Sequence, residues 1–220
     1  MLRRHVVRAG LVAALAAAAL ITVPAESAGL STVPIWISQG NQGNSRHGWS
    51  ARSAGDVNGD GYADVVVGAY LFSTSEGYSQ TVFPGRVQVF HGGPGGLSSA
   101  PSTTLYGDIT SELHKAPLFG HSVSTAGDVN GDGYDDIIVG APQAYIGFEE
   151  GAAYVYYGSA QGIRAEGRSR LEGLLQLSDF GFDVARAGDI NNDGHDDVLV
   201  GAPFHTNGHM WEGAAFLYLG

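Results

Sequence analysis

Three acidic segments of this 220-residue chain share one spacing of oxygen-bearing side chains. They run Asp56-Val57-Asn58-Gly59-Asp60-Gly61-Tyr62-Ala63-Asp64, Asp128-Val129-Asn130-Gly131-Asp132-Gly133-Tyr134-Asp135-Asp136, and Asp189-Ile190-Asn191-Asn192-Asp193-Gly194-His195-Asp196-Asp197. Oxygens at positions 1, 3, 5 and 9 around a glycine at 6 match the needs of a hard cation of Ca²⁺ size, which takes about six to eight oxygen ligands. The glycine admits the positive φ that a sharp turn demands. The expected side-chain ligands are Asp56, Asn58, Asp60 and Asp64, with the carbonyl of Tyr62 filling position 7. The same roles fall to Asp128, Asn130, Asp132, Tyr134 and Asp136, and to Asp189, Asn191, Asp193, His195 and Asp197. Calcium is expected once per repeat, three ions in all, because Mg²⁺ seldom sits in an all-protein cage and softer metals favour thiolate or imidazole.

The elements that hold these loops are strands. A helix–loop–helix calcium site would put a carboxylate at position 12, where this chain has Val67, Val139 and Val200. The runs after each loop, Val65 to Ala69, Ile137 to Pro142 and Val198 to Pro203, are short, rich in β-branched residues and interrupted by glycine, which is strand chemistry. Further on come glycine-bounded aromatic runs at 85–92, 151–158 and 213–220, and a fourth short strand is expected at 102–106 and 168–172. Each repeat thus reads as a four-stranded antiparallel unit of about 60 to 70 residues, which buries its apolar faces only against a neighbour. The repeats fall near 45–107, 117–173 and 178–220.

On Phe119-Gly120 with Gly140-Ala141-Pro142, Phe180-Gly181 with Gly201-Ala202-Pro203, and the acidic loops between them, the chain resembles the FG-GAP repeat family, the blades of the integrin α-subunit head and its bacterial relatives. The resemblance covers roughly residues 33 to 220. It implies an all-β fold, a β-propeller of FG-GAP blades with three four-stranded antiparallel repeats visible, and a ligand face opposite the calcium loops. The first repeat departs from the pattern with His47-Gly48 and Gly68-Ala69-Tyr70. An isolated outer strand is expected at 33–37, because Gly40 precedes Gly48 by the interval that separates Gly173 from Gly181. Three blades are fewer than the four to eight of closed propellers, so either a longer protein or a homo-oligomer is expected to complete the ring.

Residues 1–27 read as a secretory signal: Arg3, Arg4 and Arg8, then an apolar stretch from Gly10 to Val23, then small residues. That stretch is short for the about 20 residues that span a bilayer, so no membrane span is expected after cleavage. Residues 28–220 would be the exported propeller segment, secreted or on the cell surface. Cysteine is absent, so ions rather than disulfides would brace an exported fold. The net charge of −11 is concentrated in the loops, and with no basic stripe a nucleic-acid partner is excluded.

The expected partner is an extracellular protein or glycan. The loops that differ between repeats lie opposite the calcium loops, and Phe72, Tyr78, Phe83, Tyr145, Phe148, His205, His209 and Trp211 are the candidate contacts there. Trp49, His47 and His121 read as packing residues. No nucleophile elbow or phosphate-cradling loop occurs, and His205 and His209 lack the helix and glutamate of a zinc site. A non-catalytic binding protein is expected, with a structural module or a lectin-like propeller as alternatives.

Overall fold

The computed structural model describes residues 31–74, 83–108, 117–144, 150–173 and 175–220. Residues 36–220 form one compact unit. Residues 31–35 fall in a separate unit, where Ser31 Oγ donates to the Val33 carbonyl. The secretory reading of 1–27 lies outside the described residues, as do Tyr78, Tyr145 and Phe148.

Every regular element among the described residues is a strand. The first sheet takes β1 (Ser50–Gly55), β2 (Asp64–Ala69), β3 (Arg86–Phe90) and β4 (Thr103–Tyr106) in that spatial order. The second takes β5 (Ser122–Gly127), β6 (Asp136–Ala141), β7 (Ala152–Tyr156) and β8 (Ser169–Glu172). The third has three strands, β9 (Asp183–Gly188), β10 (Asp197–Ala202) and β11 (Ala214–Tyr218). All neighbours pair antiparallel. The acidic loops are the hairpins β1–β2, β5–β6 and β9–β10, and each follows a register shift beside a glycine with positive φ: Gly55, Gly127 or Gly188. Such a bulge bends the strand and re-aims the chain into the loop.

The sheets stack as incomplete-propeller blades and do not close a ring. Between the first two lie Val66, Val87, Val89 and Leu105 on one side and Phe119, Val123, Ile137, Val139, Tyr154 and Tyr156 on the other. Between the second and third lie Ile138, Ala153 and Val155 against Phe180, Val184, Val198 and Val200. The middle sheet is therefore apolar on both faces, and every residue of β6 is buried. The phenylalanines of the Phe-Gly pairs are core anchors. Phe119 meets Tyr154 and Tyr156 at centroid distances of 5.7 and 6.2 Å, and Phe180 meets Phe216 at 5.4 Å. Truncating such a ring to alanine costs about 3–5 kcal/mol.

The glycines of the repeat motif follow from backbone-to-backbone contact between blades. A Cβ on Gly68 would strike the carbonyl oxygen of Gly120, and one on Gly140 that of Gly181. The Phe-Gly of one blade thus sits against the Gly-Ala of the blade before it.

The expected strand at 33–37 does not form. Pro34 withholds a ladder donor, and Ile37 stays 65% exposed. Trp36 packs instead: its ring meets Phe90 edge-on at 5.0 Å and its Nε1–H donates to the Ser98 carbonyl at 2.9 Å.

Candidate metal loops and an aromatic face

Each loop folds its carboxylates onto its own amides. Asp56 accepts from the N–H groups of Asp60 and Gly61 at 3.1 and 2.8 Å, and Asp60 accepts from Tyr62 N–H at 2.9 Å. Asn58 accepts from Asp60 N–H at 3.1 Å and donates its own Nδ2–H to Asp60 Oδ2 at 3.0 Å. Asp128, Asn130 and Asp132 repeat the pattern in the second loop, and Asp189, Asn191 and Asp193 in the third. The turn works because Gly61, Gly133 and Gly194 take φ of 87°, 90° and 94°.

Position 9 has a different duty. Asp64, Asp136 and Asp197 open β2, β6 and β10 and are wholly buried. Asp64 accepts from Val57 N–H at 2.9 Å and from Gly92 N–H at 2.7 Å, tying the loop to the end of β3. Asp136 does the same with Val129 and Gly158 at 3.0 and 2.8 Å, and Asp197 with Ile190 and Gly220 at 2.7 and 3.0 Å. Burial pushes the Asp136 carboxyl up to about 7, with the two amides opposing and the charges of Asp132 and Asp128 adding to the rise. Asp64 is raised as well, burial again leading.

Among the described residues no three or more His, Cys, Asp or Glu side chains are grouped closely enough to hold a metal ion. The donor set nonetheless fits a hard cation. It is all oxygen, and it includes a carboxylate whose proton affinity is raised first by burial and then by its carboxylate neighbours, an imbalance that a divalent ion would remove.

The structure adds links that the sequence reading did not make. Asp135 Oδ2 accepts from Asp56 N–H at 2.7 Å, while Asp135 N–H donates to the Asp56 carbonyl at 3.2 Å. Asp196 repeats this on Asp128, at 3.0 Å both ways, and pairs with Arg186 at 2.8 Å. The position-7 rings lie on the preceding loop. A Cβ on Gly59 would stand 2.8 Å from Tyr134 Cε1, and one on Gly131 2.7 Å from His195 Cε1. His195 therefore contributes its ring, beyond the backbone carbonyl expected of it. The available signal was position 4, which reads Gly59, Gly131 and then Asn192.

At the opposite end of the strands, the residue after each motif glycine forms a row with Tyr70. Trp49 lies 5.0 Å from Tyr70 and 5.9 Å from His121, Tyr70 lies 5.4 Å from His121, and His121 lies 4.8 Å from Phe182. Trp49 is 56% exposed and Phe182 43%, so Trp49 is not the core residue the sequence suggested. The expected surface residues are less unified. Phe72 stacks on Arg86 at 4.1 Å, His205 meets Phe216 at 5.3 Å, and Phe83 is half-buried. His209 bonds Glu212 at 3.2 Å, and Trp211, exposed, meets Phe204 at 6.1 Å.

A family model described as FG-GAP repeat matches residues 47–90, 119–156 and 180–215. The chain is 38% identical to human integrin alpha-IIb over 151 residues, 67% of this chain and 14% of that protein. It is 35% identical to integrin alpha-PS5 of Drosophila melanogaster over 156 residues, 68% of this chain and 14% of the relative. Integrin alpha pat-2 of Caenorhabditis briggsae is 35% identical over 169 residues, 69% of this chain and 13% of the relative. The chain thus spans about a seventh of the length of these relatives. No helix among the described residues is long and apolar enough to cross a membrane.

Proposed function

The chain belongs to the FG-GAP repeat family, and from that membership we propose that it is a non-catalytic extracellular recognition module whose blades are stiffened by calcium. The observation that carries this reading is the chain of three acidic loops, each closed by a wholly buried aspartate, with the first capped by the second and the second by the third. Asp56, Asn58, Asp60 and Asp64 would hold one ion with the Tyr62 carbonyl, and the corresponding residues of the other loops would hold two more. Calcium would supply the positive charge that Asp64, Asp136 and Asp197 lack. Ions that bind the folded state alone stabilise it by mass action, which suits an exported chain without disulfides.

Recognition falls to the other end of the strands. Trp49, Tyr70, His121 and Phe182 form an apolar row, and loop residues such as Trp211 flank the variable segments. Exposed aromatic rings on a rigid frame suit a protein or glycan ligand. Calorimetric titration of the full chain with CaCl₂, and melting with CaCl₂ or EDTA, test the metal half. About three ions should bind and the Tm should rise, whereas a flat titration with equal Tm values would refute it. Alanine at Trp49, His121 and Phe182, read on glycan and matrix-protein arrays, tests the face.

A further inference from the structure

Arg86 is the outlier among otherwise matching strands. In the aromatic run of each blade its position is taken by Ala152 and Ala214, and the next position on the same face, Gln88 here, by Tyr154 and Phe216. In the second blade that face is apolar and buried against the first. In the first blade it carries a cation and an amide, covered in part by the segment around 37–41.

The guanidinium is held in place while one edge stays free. Arg86 is 4% exposed. Its Nη1 donates to Asn41 Oδ1 at 3.0 Å, and its plane lies over the Phe72 ring at 4.1 Å. Its Nε–H is buried without any partner. Among the described residues no carboxylate pairs with it and none bonds the Nε–Nη2 edge. A buried, unpaired cation is costly, and Nε with Nη2 is one of the two-pronged donor edges that match a carboxylate.

Beside Arg86 lies a pocket of about 180 Å³ walled by Ser38, Asn41, Gln88, Ser99 and Phe90. At about 30 Å³ per water it has room for roughly six heavy atoms. Among the described residues no acidic side chain lines it, and the walls offer hydroxyls and amides. We propose that this pocket is a carboxylate-binding site in which the Nε–Nη2 edge of Arg86 takes both oxygens of the ligand while Phe72 and Asn41 fix the guanidinium. A single cation with no second positive group favours a planar monoanion over phosphate. Supporting this, burial depresses the Arg86 pKa, and burial followed by the charge of Arg86 depresses that of His47. The carboxylate comes either from a free small acid or from an acidic residue of a bound peptide.

The test uses the full chain with sodium propionate, propionamide and sodium chloride at matched ionic strength, and with the peptides acetyl-Gly-Glu-Gly-amide and acetyl-Gly-Gln-Gly-amide. Propionate should raise the Tm saturably, by about 3 °C, and shift the Arg86 Nε–H resonance. Propionamide and chloride should do neither, and R86Q should abolish the effect. The NMR signal reads the native protein, so it stands even where R86Q fails to fold. A response to the Glu peptide but not to propionate assigns the peptide source, and the reverse assigns the free acid. No shift of the Arg86 signal with either carboxylate would overturn the proposal. So would an equal effect of chloride.

Discussion

The stacking of one loop's ring on the preceding loop's glycine makes Gly59→Ala a sharp probe of how the blades are locked. Two costs are separable. At φ of 71° any residue with a Cβ meets the left-handed penalty of about 1–2 kcal/mol. The new methyl would also lie 2.8 Å from Tyr134 Cε1, so the ring must move, and such overpacking costs about 1–3 kcal/mol more. Gly61→Ala is the control, since its φ is 87° and nothing lies within 4 Å of the added carbon. In urea denaturation monitored by fluorescence, Gly59→Ala should lose about 2–5 kcal/mol and Gly61→Ala about 1–2. Adding Tyr134→Ala should reduce the Gly59→Ala cost to the control value, a coupling that a double-mutant cycle reads directly. Equal losses for the two glycine variants, or no coupling to Tyr134, would refute inter-loop stacking as a stabilising contact.

Gly68→Ala and Gly140→Ala force a methyl onto the carbonyl of the next blade and should each cost about 3 kcal/mol or more. Gly201→Ala, whose nearest neighbour would be Asp183 Cβ at 3.7 Å, should stay within about 1 kcal/mol by the same denaturation assay. Asp135→Ala removes the acceptor of Asp56 N–H and should lower stability by about 1–3 kcal/mol and weaken calcium binding calorimetrically, with Asp135→Asn recovering part of both. In EDTA, stability should fall as pH rises, because the folded Asp136 carboxyl titrates near about 7 against 3.8 when unfolded and the native state binds more protons between those values. That stability is complete below about 3.8 and gone above about 7. Calcium should flatten the slope, which melting curves across pH will show.

The strands and the acidic hairpins were legible because their signals are local. Val65–Val67 or Ile137–Val139 between glycines specify a short strand whatever surrounds them, and Asp56, Asn58 and Asp60 at alternate positions before Gly61 specify the turn. What was hidden depends on the neighbouring blade. Asp135 and Asp196 look like spare charges until the preceding loop is beside them. Trp49 looks like core, because nothing in its local sequence says that the start of β1 opens toward solvent. The strand at 33–37 failed for the same reason in reverse: the interval from Gly40 to Gly48 suggested a fourth strand, but a ladder needs a partner strand, and Trp36 packs there instead.

The two ends of the blades therefore divide the work. At the loop end, each connection runs one way: the position-7 ring and the position-8 carboxylate of a blade act on the loop before it, never on the one after. Position 8 is Ala63 in the first loop, which has no described loop before it to hold. On the proposed function, an ion in one loop would stiffen the groups that cap its predecessor, so that stabilisation would pass between neighbours as in other stacked repeats. At the opposite end the same spacing of blades sets Trp49, His121 and Phe182 about one ring apart. Loosening a loop should therefore be felt as a change in the spacing of that row, because the strands between them are too short and too well paired to absorb it.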